Sequence, residues 1–195
     1  EGYDVVGVTM KLWDDDRKDV QRHSKGCCTL EDVEDARRVC QIIGAPHYVM
    51  NFQREFQEHV INYFVSEYQR GRTPHPCLAC NDKIKFDFLM NKARALGIDY
   101  VATGHYARLD LSNGYPRLLK GIDQMKDQSY VLFNLRPHQM ENLLLPVGRY
   151  SKAKIRDIAR EAGLPVADKP DSQEICFIPM NDYRAFISER SLPIP

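Results

Sequence analysis

The cysteines are the residues whose spacing in this sequence suggests chemistry. Cys77 and Cys80 form a C-x-x-C pair in the segment PHPCLACNDKIKF, which we expect to be a proline-braced loop just before a helix. A helix start and the nearby Lys83, Lys85 and His75 would favour the thiolate, the nucleophilic form of cysteine. The pair therefore predicts either reactive sulfur or part of a metal site.

The metal alternative is half of a structural zinc site, to which Cys27 and Cys28 would add two ligands. Spacing alone does not separate the two interpretations. Neighbouring cysteines point their side chains apart, however, so Cys27 and Cys28 fit a closed four-sulfur geometry poorly. Cys40 lies on the apolar stripe of a predicted helix and is expected in the core.

Cys176 is a second candidate for a reactive thiol. It lies between the polar residues 171–174 and the apolar pair Phe177 and Ile178. Taken alone, it would be interpreted as a buried strand cysteine. The polar residues before it favour an exposed or mobile loop, where a thiol can meet a partner.

The composition indicates a globular protein without an overall charge. The 195 residues are 43% hydrophobic and carry 27 basic and 27 acidic side chains, so any binding of nucleic acid would need a local patch. No apolar run approaches the roughly 20 residues that cross a bilayer, and no secretory leader opens the sequence. We therefore expect a cytoplasmic protein with reduced cysteines and no membrane partner.

The periodicity of apolar residues predicts an α/β fold. Short buried strands are expected over 3–10, 47–52 and 100–103, and helices over 30–43, 54–70, 86–96 and 151–162. Alternation at this spacing implies a mostly parallel sheet with helices on both faces. The turn residues Ser112, Asn113 and Gly114 predict a small β-hairpin excursion over 106–120.

Five strings along the chain carry a resemblance to a known family. They are GVTMKLW, GRTPHPCLACNDKIKF, DYVATGHYAR, KDQSYVLFNL and PDSQEICFIP. In this order they closely resemble the tRNA 2-thiouridylase family known as MnmA or TrmU, over nearly the whole chain. The resemblance implies a doubly wound, mostly parallel sheet of the PP-loop ATP pyrophosphatase, or adenine nucleotide alpha hydrolase-like, type.

The same resemblance implies how the chain is divided. Residues 1–188 would be a catalytic domain that lacks the family's first strand, phosphate loop and first helix. Residues 189–195 would begin a linker to a following domain. Because the family's S-G-G-x-D-S segment is absent from the 195 residues, we expect weak or no adenylation by this fragment alone.

The implied activity is the 2-thiolation of the wobble uridine of tRNA. ATP, with Mg²⁺, adenylates the uracil C2 oxygen, and sulfur then displaces AMP. Cys176 matches the cysteine that receives a persulfide from a sulfur-relay protein or cysteine desulfurase, and Cys80 matches its partner thiol. Met10 and Gly104 match positions that line ATP. Gly104 also follows a predicted strand, where a missing Cβ lets a ligand approach, although it could simply be a turn glycine and Met10 a core residue.

Two further segments match tRNA contacts in the family: His75, Pro76 and Cys77 at the target base, and Lys126, Asp127 and Gln128 elsewhere on the tRNA. Family members commonly have asparagine in place of His75, and some have aspartate in place of Cys77. A basic stripe of Lys152, Arg156 and Arg160 would suit phosphates or be a solvated helix face.

Three alternatives remain open from the sequence. Cys77, Cys80 and Cys176 could hold an iron–sulfur cluster with one open iron for sulfide. The chain could be another PP-loop enzyme with a different acceptor. It could also be a zinc or thiol-redox binding module without catalysis. No DNA partner is expected from any of them.

Overall fold

A computed structural model describes residues 2–13, 30–112, 114–171, 175–178 and 182–190. The chain divides into two compact units. The terminal unit comprises Glu1–Pro76 together with Arg160–Pro195, and the central unit is Cys77–Ala159. Both helices and strands are present, in agreement with the predicted α/β class.

The elements follow one another along the described residues in this order. The strands are β1 (Gly7–Lys11), β2 (His47–Asn51), β3 (Val101–Ala102), β4 (Ala107–Asp110), β5 (Arg117–Lys120) and β6 (Leu143–Leu144). The α-helices are α1 (Leu30–Ile43), α2 (Gln53–Phe56), α3 (Asn62–Gln69), α4 (Pro76–Ala79), α5 (Met90–Ala95), α6 (Pro137–Met140), α7 (Lys152–Glu161) and α8 (Tyr183–Arg190). Gln57–Ile61 and Cys80–Leu89 are π-helical, and Ser129–Val131 and Pro146–Arg149 are 3₁₀ turns.

The terminal unit is built on a parallel strand pair. β1 runs alongside β2 with Gly7 opposite His47 and Lys11 opposite Asn51, and α1 is the crossover between them. Cys40 on α1 is buried, as predicted. The predicted strand over 3–10 was too long at its start, because Val5 and Val6 precede β1 and are 52% and 41% exposed.

An aromatic cluster forms the core of the terminal unit. The apolar residues Phe56, Val60 and Phe64 form a stripe of fully buried side chains on consecutive helical turns. Phe177 and Phe186 pack onto this stripe from the later part of the chain. Aromatic burial at this scale dominates the energetics of a core.

The helix that was predicted to begin near residue 86 begins ten residues earlier, at Pro76. α4, the π-helical segment and α5 continue into one another over residues 76–95. The predicted loop at Cys77 and Cys80 is therefore wrong, because both cysteines are helical. Pro76 explains the difference: proline at the first helical position loses only an N–H that has no helical partner there.

The remaining strands of the central unit form two separate pairs. β3 is parallel to β6, and β4 is antiparallel to β5, which confirms the predicted hairpin. Of its turn residues, Asn113 lies outside the described residues. The described strands pair in three two-stranded sheets, so the single doubly wound sheet remains a prediction.

The 3₁₀ turn Pro146–Arg149 approaches the backbone of β4 closely. A Cβ added to Gly148 would lie 1.7 Å from the carbonyl oxygen of Ala107, a fully buried residue of β4. Only glycine permits this contact. The core itself consists of Phe86, Met90, Ala107, Val131, Leu132, Leu135, Leu143 and Leu145.

The helix α7 begins in the central unit and ends in the terminal unit. Across the described ranges, no helix combines the length and the apolar character that crossing a membrane would require.

Candidate functional site

The thiol-bearing helix is tied to the segment that contains Lys126, Asp127 and Gln128. Asn81, which directly follows Cys80, is 3% exposed and donates from Nδ2 to the carbonyl oxygen of Val131 at 3.0 Å. A buried amide that lost this partner would carry an unsatisfied donor, at a cost of about 1 to 3 kcal/mol. The hydrogen bond therefore fixes the backbone beside Cys80.

The same segment is tied to the residues that follow β3. The N–H of Tyr106 donates to Oε1 of Gln128 at 3.0 Å, and the N–H of Gln128 donates to the carbonyl of Tyr106 at 2.9 Å. Three of the five sequence strings are thus connected by hydrogen bonds inside the central unit. This connection is the main feature of the candidate site.

Asp127 accepts hydrogen bonds from the loop residues around it. Its Oδ1 accepts from the N–H of Gly121 at 2.8 Å, and its Oδ2 accepts from the hydroxyl of Ser129 at 2.8 Å. Burial raises the pKa of Asp127, but these hydrogen bonds outweigh burial and hold the pKa below its ordinary value. The carboxylate is therefore charged and engaged in shaping the loop.

Lys126, by contrast, lies on the surface. It is exposed, and its neighbour Met125 is 91% exposed. Tyr130 is also 61% exposed, on the 3₁₀ turn that follows. Of the three residues predicted to contact tRNA in this segment, Lys126 is presented to solvent, whereas Asp127 and Gln128 hold the backbone that presents it.

The residues predicted at the target base differ in exposure. His75 and Cys77 are exposed, Pro76 between them is buried, and Cys80 is half-buried. Because Cys77 and Cys80 are three residues apart in a helix, their side chains lie on one face. The start of the helix therefore presents two thiols with unequal access to solvent.

The cations expected to support a thiolate have other neighbours as well. Nζ of Lys83 lies 3.3 Å from Oδ2 of Asp82. The charge of Lys85 acts on His105. The sequence pattern did not indicate these partners of Lys83 and Lys85.

Gly104 leaves room for a ligand to approach the backbone. It is exposed after β3, and a Cβ added to it would meet no atom within 4 Å. Protein packing does not require glycine here, and the space above it is open. Met10 lies in β1 of the terminal unit and is half-buried. The ATP contacts that the resemblance implies for Met10 and for Gly104 stay predictions.

His105 is a buried titratable group that the sequence analysis did not single out. It is 7% exposed, and its Nδ1 lies 2.8 Å from Oγ1 of Thr103. Burial, with a smaller contribution from Lys85, lowers its pKa from 6.5 to about 4. The imidazole is therefore neutral at physiological pH. Its position directly after Gly104 in the TGHY string was the signal that could have drawn attention to it.

In the terminal unit, the second candidate thiol lies directly before two buried residues. Cys176 is half-buried, while Phe177 and Ile178 are 1% and 4% exposed. The ring of Phe177 stands edge-on to Phe56 and Phe64, with centroids 5.5 and 5.4 Å apart. The thiol is neither an interior cysteine nor part of a fully exposed loop, because its next residue is fixed in the core.

The chain before Cys176 is held by ion pairs. Nζ of Lys169 lies 2.7 Å from Oδ1 of Asp32 and 2.6 Å from Oδ2 of Asp35, both on α1. The hydrogen bonds to these carboxylates raise the pKa of Lys169 above its ordinary value. The chain is therefore anchored to the crossover helix at Lys169.

The predicted basic stripe has partners within the protein. Arg160 forms an ion pair with Asp168 at 2.7 Å. Nζ of Lys152 lies 5.7 Å from the centroid of the Tyr106 ring. Lys152 and Arg156 are half-buried and Arg160 is exposed, so both alternatives for the stripe stay predictions.

No metal-binding group is assembled by the described part of the chain, in the sense of three or more histidine, cysteine, aspartate or glutamate residues arranged to hold an ion. Cys27 and Cys28, which the zinc alternative requires, lie outside the described residues. The zinc alternative therefore remains a prediction.

The family follows from comparison with known proteins. Residues 1–180 match the family described as "tRNA methyl transferase HUP domain", and the chain belongs to this family. The protein named "tRNA-specific 2-thiouridylase MnmA" in Clostridioides difficile is 54% identical over 193 residues, which are 98% of this chain and 53% of that relative. Its namesake in Carboxydothermus hydrogenoformans is 53% identical over 97% of this chain and 53% of its own length.

A third relative of the same name, from Clostridium perfringens, is 51% identical over 97% of this chain and 52% of its own length. The chain spans about half the length of the curated relatives it matches. The predicted resemblance to the 2-thiouridylase family is confirmed.

Proposed function

We propose that this chain is part of a tRNA 2-thiouridylase that replaces the C2 oxygen of the wobble uridine with sulfur. The observation that carries the proposal is the hydrogen-bonded connection of three segments in the central unit. They are the C-x-x-C helix start, the TGHY segment and the segment with Lys126. Relatives at 51–54% identity are named for this activity.

Sulfur transfer is assigned to Cys176 and Cys80. Cys176 accepts the outer sulfur of a persulfide from a cysteine desulfurase or a sulfur-relay protein. The Cys80 thiolate then attacks the Cys176 sulfur, forming a Cys80–Cys176 disulfide and releasing hydrosulfide. The half-buried state of both thiols supports this assignment, because each is accessible yet partly shielded from solvent.

The oxygen must be activated before sulfur can replace it. ATP, which Met10 and Gly104 would help to hold, supplies the adenylation that turns the C2 oxygen into a leaving group. The open space at Gly104 supports this role. His105 beside it is buried and neutral at physiological pH, so its imidazole does not act there as a cation.

Binding of tRNA is assigned to exposed residues. The exposure of Lys126 supports a contact with a phosphate, which would contribute affinity that falls with salt and does not depend on sequence. Asp127 and Gln128 support it through the backbone contacts described above. His75 and Cys77 are exposed and Pro76 is buried, so the proposed contact with the target base falls on the first two and Pro76 shapes the turn.

The proposal is tested in cells depleted of the full-length protein and complemented with single variants. Mass spectrometry of total tRNA measures wobble 2-thiouridine. We expect Cys80→Ser and Cys176→Ser each to abolish the modified nucleoside, while Cys40→Ala serves as the matched control because Cys40 is buried in the core. Normal 2-thiouridine in either serine variant, with the control also normal, would refute the assignment. Loss of a different modified nucleoside would instead indicate another acceptor.

A further inference from the structure

The helix start of the central unit carries two thiols in a geometry that allows a disulfide between them. Cys77 lies about one helical turn before Cys80, because residues 76–79 are helical and the helix continues through Cys80. Residues three apart in a helix have Cα atoms about 5 Å apart. This separation lies within the range of about 4.4 to 6.8 Å that disulfides require.

The two thiols differ in access to solvent. Cys77 is exposed and Cys80 is half-buried. The hydrogen bond of Asn81 to the Val131 carbonyl holds the backbone next to Cys80, so Cys80 stays in place while Cys77 remains open to molecules in solution. Such a pair has an inner sulfur suited to exchange within the protein and an outer sulfur suited to exchange with a reductant.

We propose that Cys77 is a resolving thiol that regenerates the enzyme after each sulfur transfer. This inference rests on the proposed function, which leaves a Cys80–Cys176 disulfide after hydrosulfide is released. The Cys77 thiolate attacks the Cys80 sulfur, a Cys77–Cys80 bond forms, and Cys176 departs as a thiolate that takes up a proton. The number of disulfides is unchanged, so this step needs no external electrons.

The second step does need a reductant. A cellular dithiol, or two molecules of a monothiol such as glutathione, supplies two electrons and two protons at the exposed Cys77 and restores both thiols. The reductant therefore never has to reach Cys176, which lies next to the buried Phe177. Cys176 is available for the next persulfide as soon as the disulfide has moved.

The test maps disulfides in the full-length protein. The protein is incubated with tRNA, ATP, cysteine and a cysteine desulfurase without reductant, quenched in acid, alkylated and digested with trypsin. Cys77 and Cys80 fall in one tryptic peptide, residues 73–83, whereas Cys176 falls in another, residues 161–184. A disulfide between Cys77 and Cys80 is therefore detected as a loss of two hydrogens from the mass of peptide 73–83. A disulfide between Cys176 and either of these cysteines is detected as two cross-linked peptides.

In the wild type we expect the internal disulfide in peptide 73–83 and an alkylated Cys176. In Cys77→Ser we expect the cross-linked peptides instead. Cys40→Ala is the control, and it should give the wild-type map. The readout is the position of the disulfide, which a merely structural role of Cys77 would not move.

Two results would overturn the resolving role alone. One is a wild type that makes 2-thiouridine but retains the cross-link with Cys77 alkylated. The other is a purified protein in which stoichiometric iron and sulfide protect all three cysteines from alkylation. Failure of the proposed function looks different: no 2-thiouridine forms, and Cys77→Ser shows no cross-link.

Discussion

Replacing Phe177 tests whether the thiol of Cys176 is positioned by the aromatic cluster behind it. Phe177 is 1% exposed and its ring contacts Phe56, Phe64 and Phe186 at centroid distances of 5.5, 5.4 and 5.4 Å. It is the residue directly after Cys176. Loosening Phe177 should therefore affect both the stability of the terminal unit and the exposure of the thiol.

The expected magnitude follows from these contacts. Phe177→Ala removes a fully buried ring and should cost about 3 to 5 kcal/mol of unfolding free energy. Phe177→Leu keeps most of the volume but loses the edge-on ring contacts, each of which contributes about 0.5 to 1.5 kcal/mol beyond burial. We expect a loss of about 1 to 3 kcal/mol for the leucine variant.

Urea denaturation measures the stability, and the rate of alkylation of Cys176 in native buffer measures its exposure. Because local opening around residue 177 exposes the half-buried thiol further, Phe177→Ala should accelerate its alkylation. Phe133→Ala is the matched control. Phe133 is 65% exposed, so its loss should change stability by less than about 0.5 kcal/mol.

Either of two results would contradict the positioning of the Cys176 thiol by Phe177. One is a cost below about 1 kcal/mol for Phe177→Ala, which would contradict the expected loss of a buried ring. The other is an unchanged alkylation rate in a variant that is clearly destabilised, because the thiol would then be positioned by something other than its neighbour.

Three further predictions concern the remaining parts of the structure. Because the pKa of His105 is lowered from 6.5 to about 4, the unfolded chain takes up this proton first as the pH falls, so stability from this group is complete above pH 6.5 and is lost towards pH 4. Between pH 7 and pH 5 the loss should be about 2 kcal/mol, and urea titrations of His105→Gln should lack this part of the pH dependence. Gly148→Ala places a Cβ 1.7 Å from the Ala107 carbonyl oxygen and should lower the unfolding free energy by about 3 kcal/mol or more, whereas Gly104→Ala meets open space and should not destabilise; equal denaturation midpoints would contradict this. Lys169→Met removes a cation that joins two carboxylates on α1 and should cost about 0.5 to 1 kcal/mol at low salt. The cost should shrink in concentrated NaCl, and a cost that is independent of salt would rule out an electrostatic origin.

Elements with strong periodicity were predictable from the sequence. The helix α1 and the hairpin of β4 and β5 occur where the apolar spacing and turn residues indicated them. The start of the helix at Pro76 was not, because a proline ends a loop and begins a helix with the same local signal. Only the hydrogen bonds that follow decide between the two.

The candidate site was predictable in its residue types but not in its contacts. The C-x-x-C pair and the segment with Lys126 were recognised from their strings, yet nothing local indicated that Asn81 and Gln128 would connect them. Such hydrogen bonds join residues 50 and 22 positions apart. The lowered pKa of His105 likewise arises from burial, which depends on the packed structure.

The π-helical stretch Cys80–Leu89 makes the length of this part of the chain as important as its composition. An α-helix turns by about 100° for each residue and the wider π-helix by somewhat less, so removing one residue ahead of Phe86 would rotate both sulfurs by roughly a quarter-turn around the helix axis while Phe86 stayed in the core. Insertions and deletions should therefore be rejected between the sulfurs and that ring, even where individual substitutions are accepted. A library of single-residue deletions across this stretch, scored by growth that depends on thiolated tRNA, would reveal this intolerance directly.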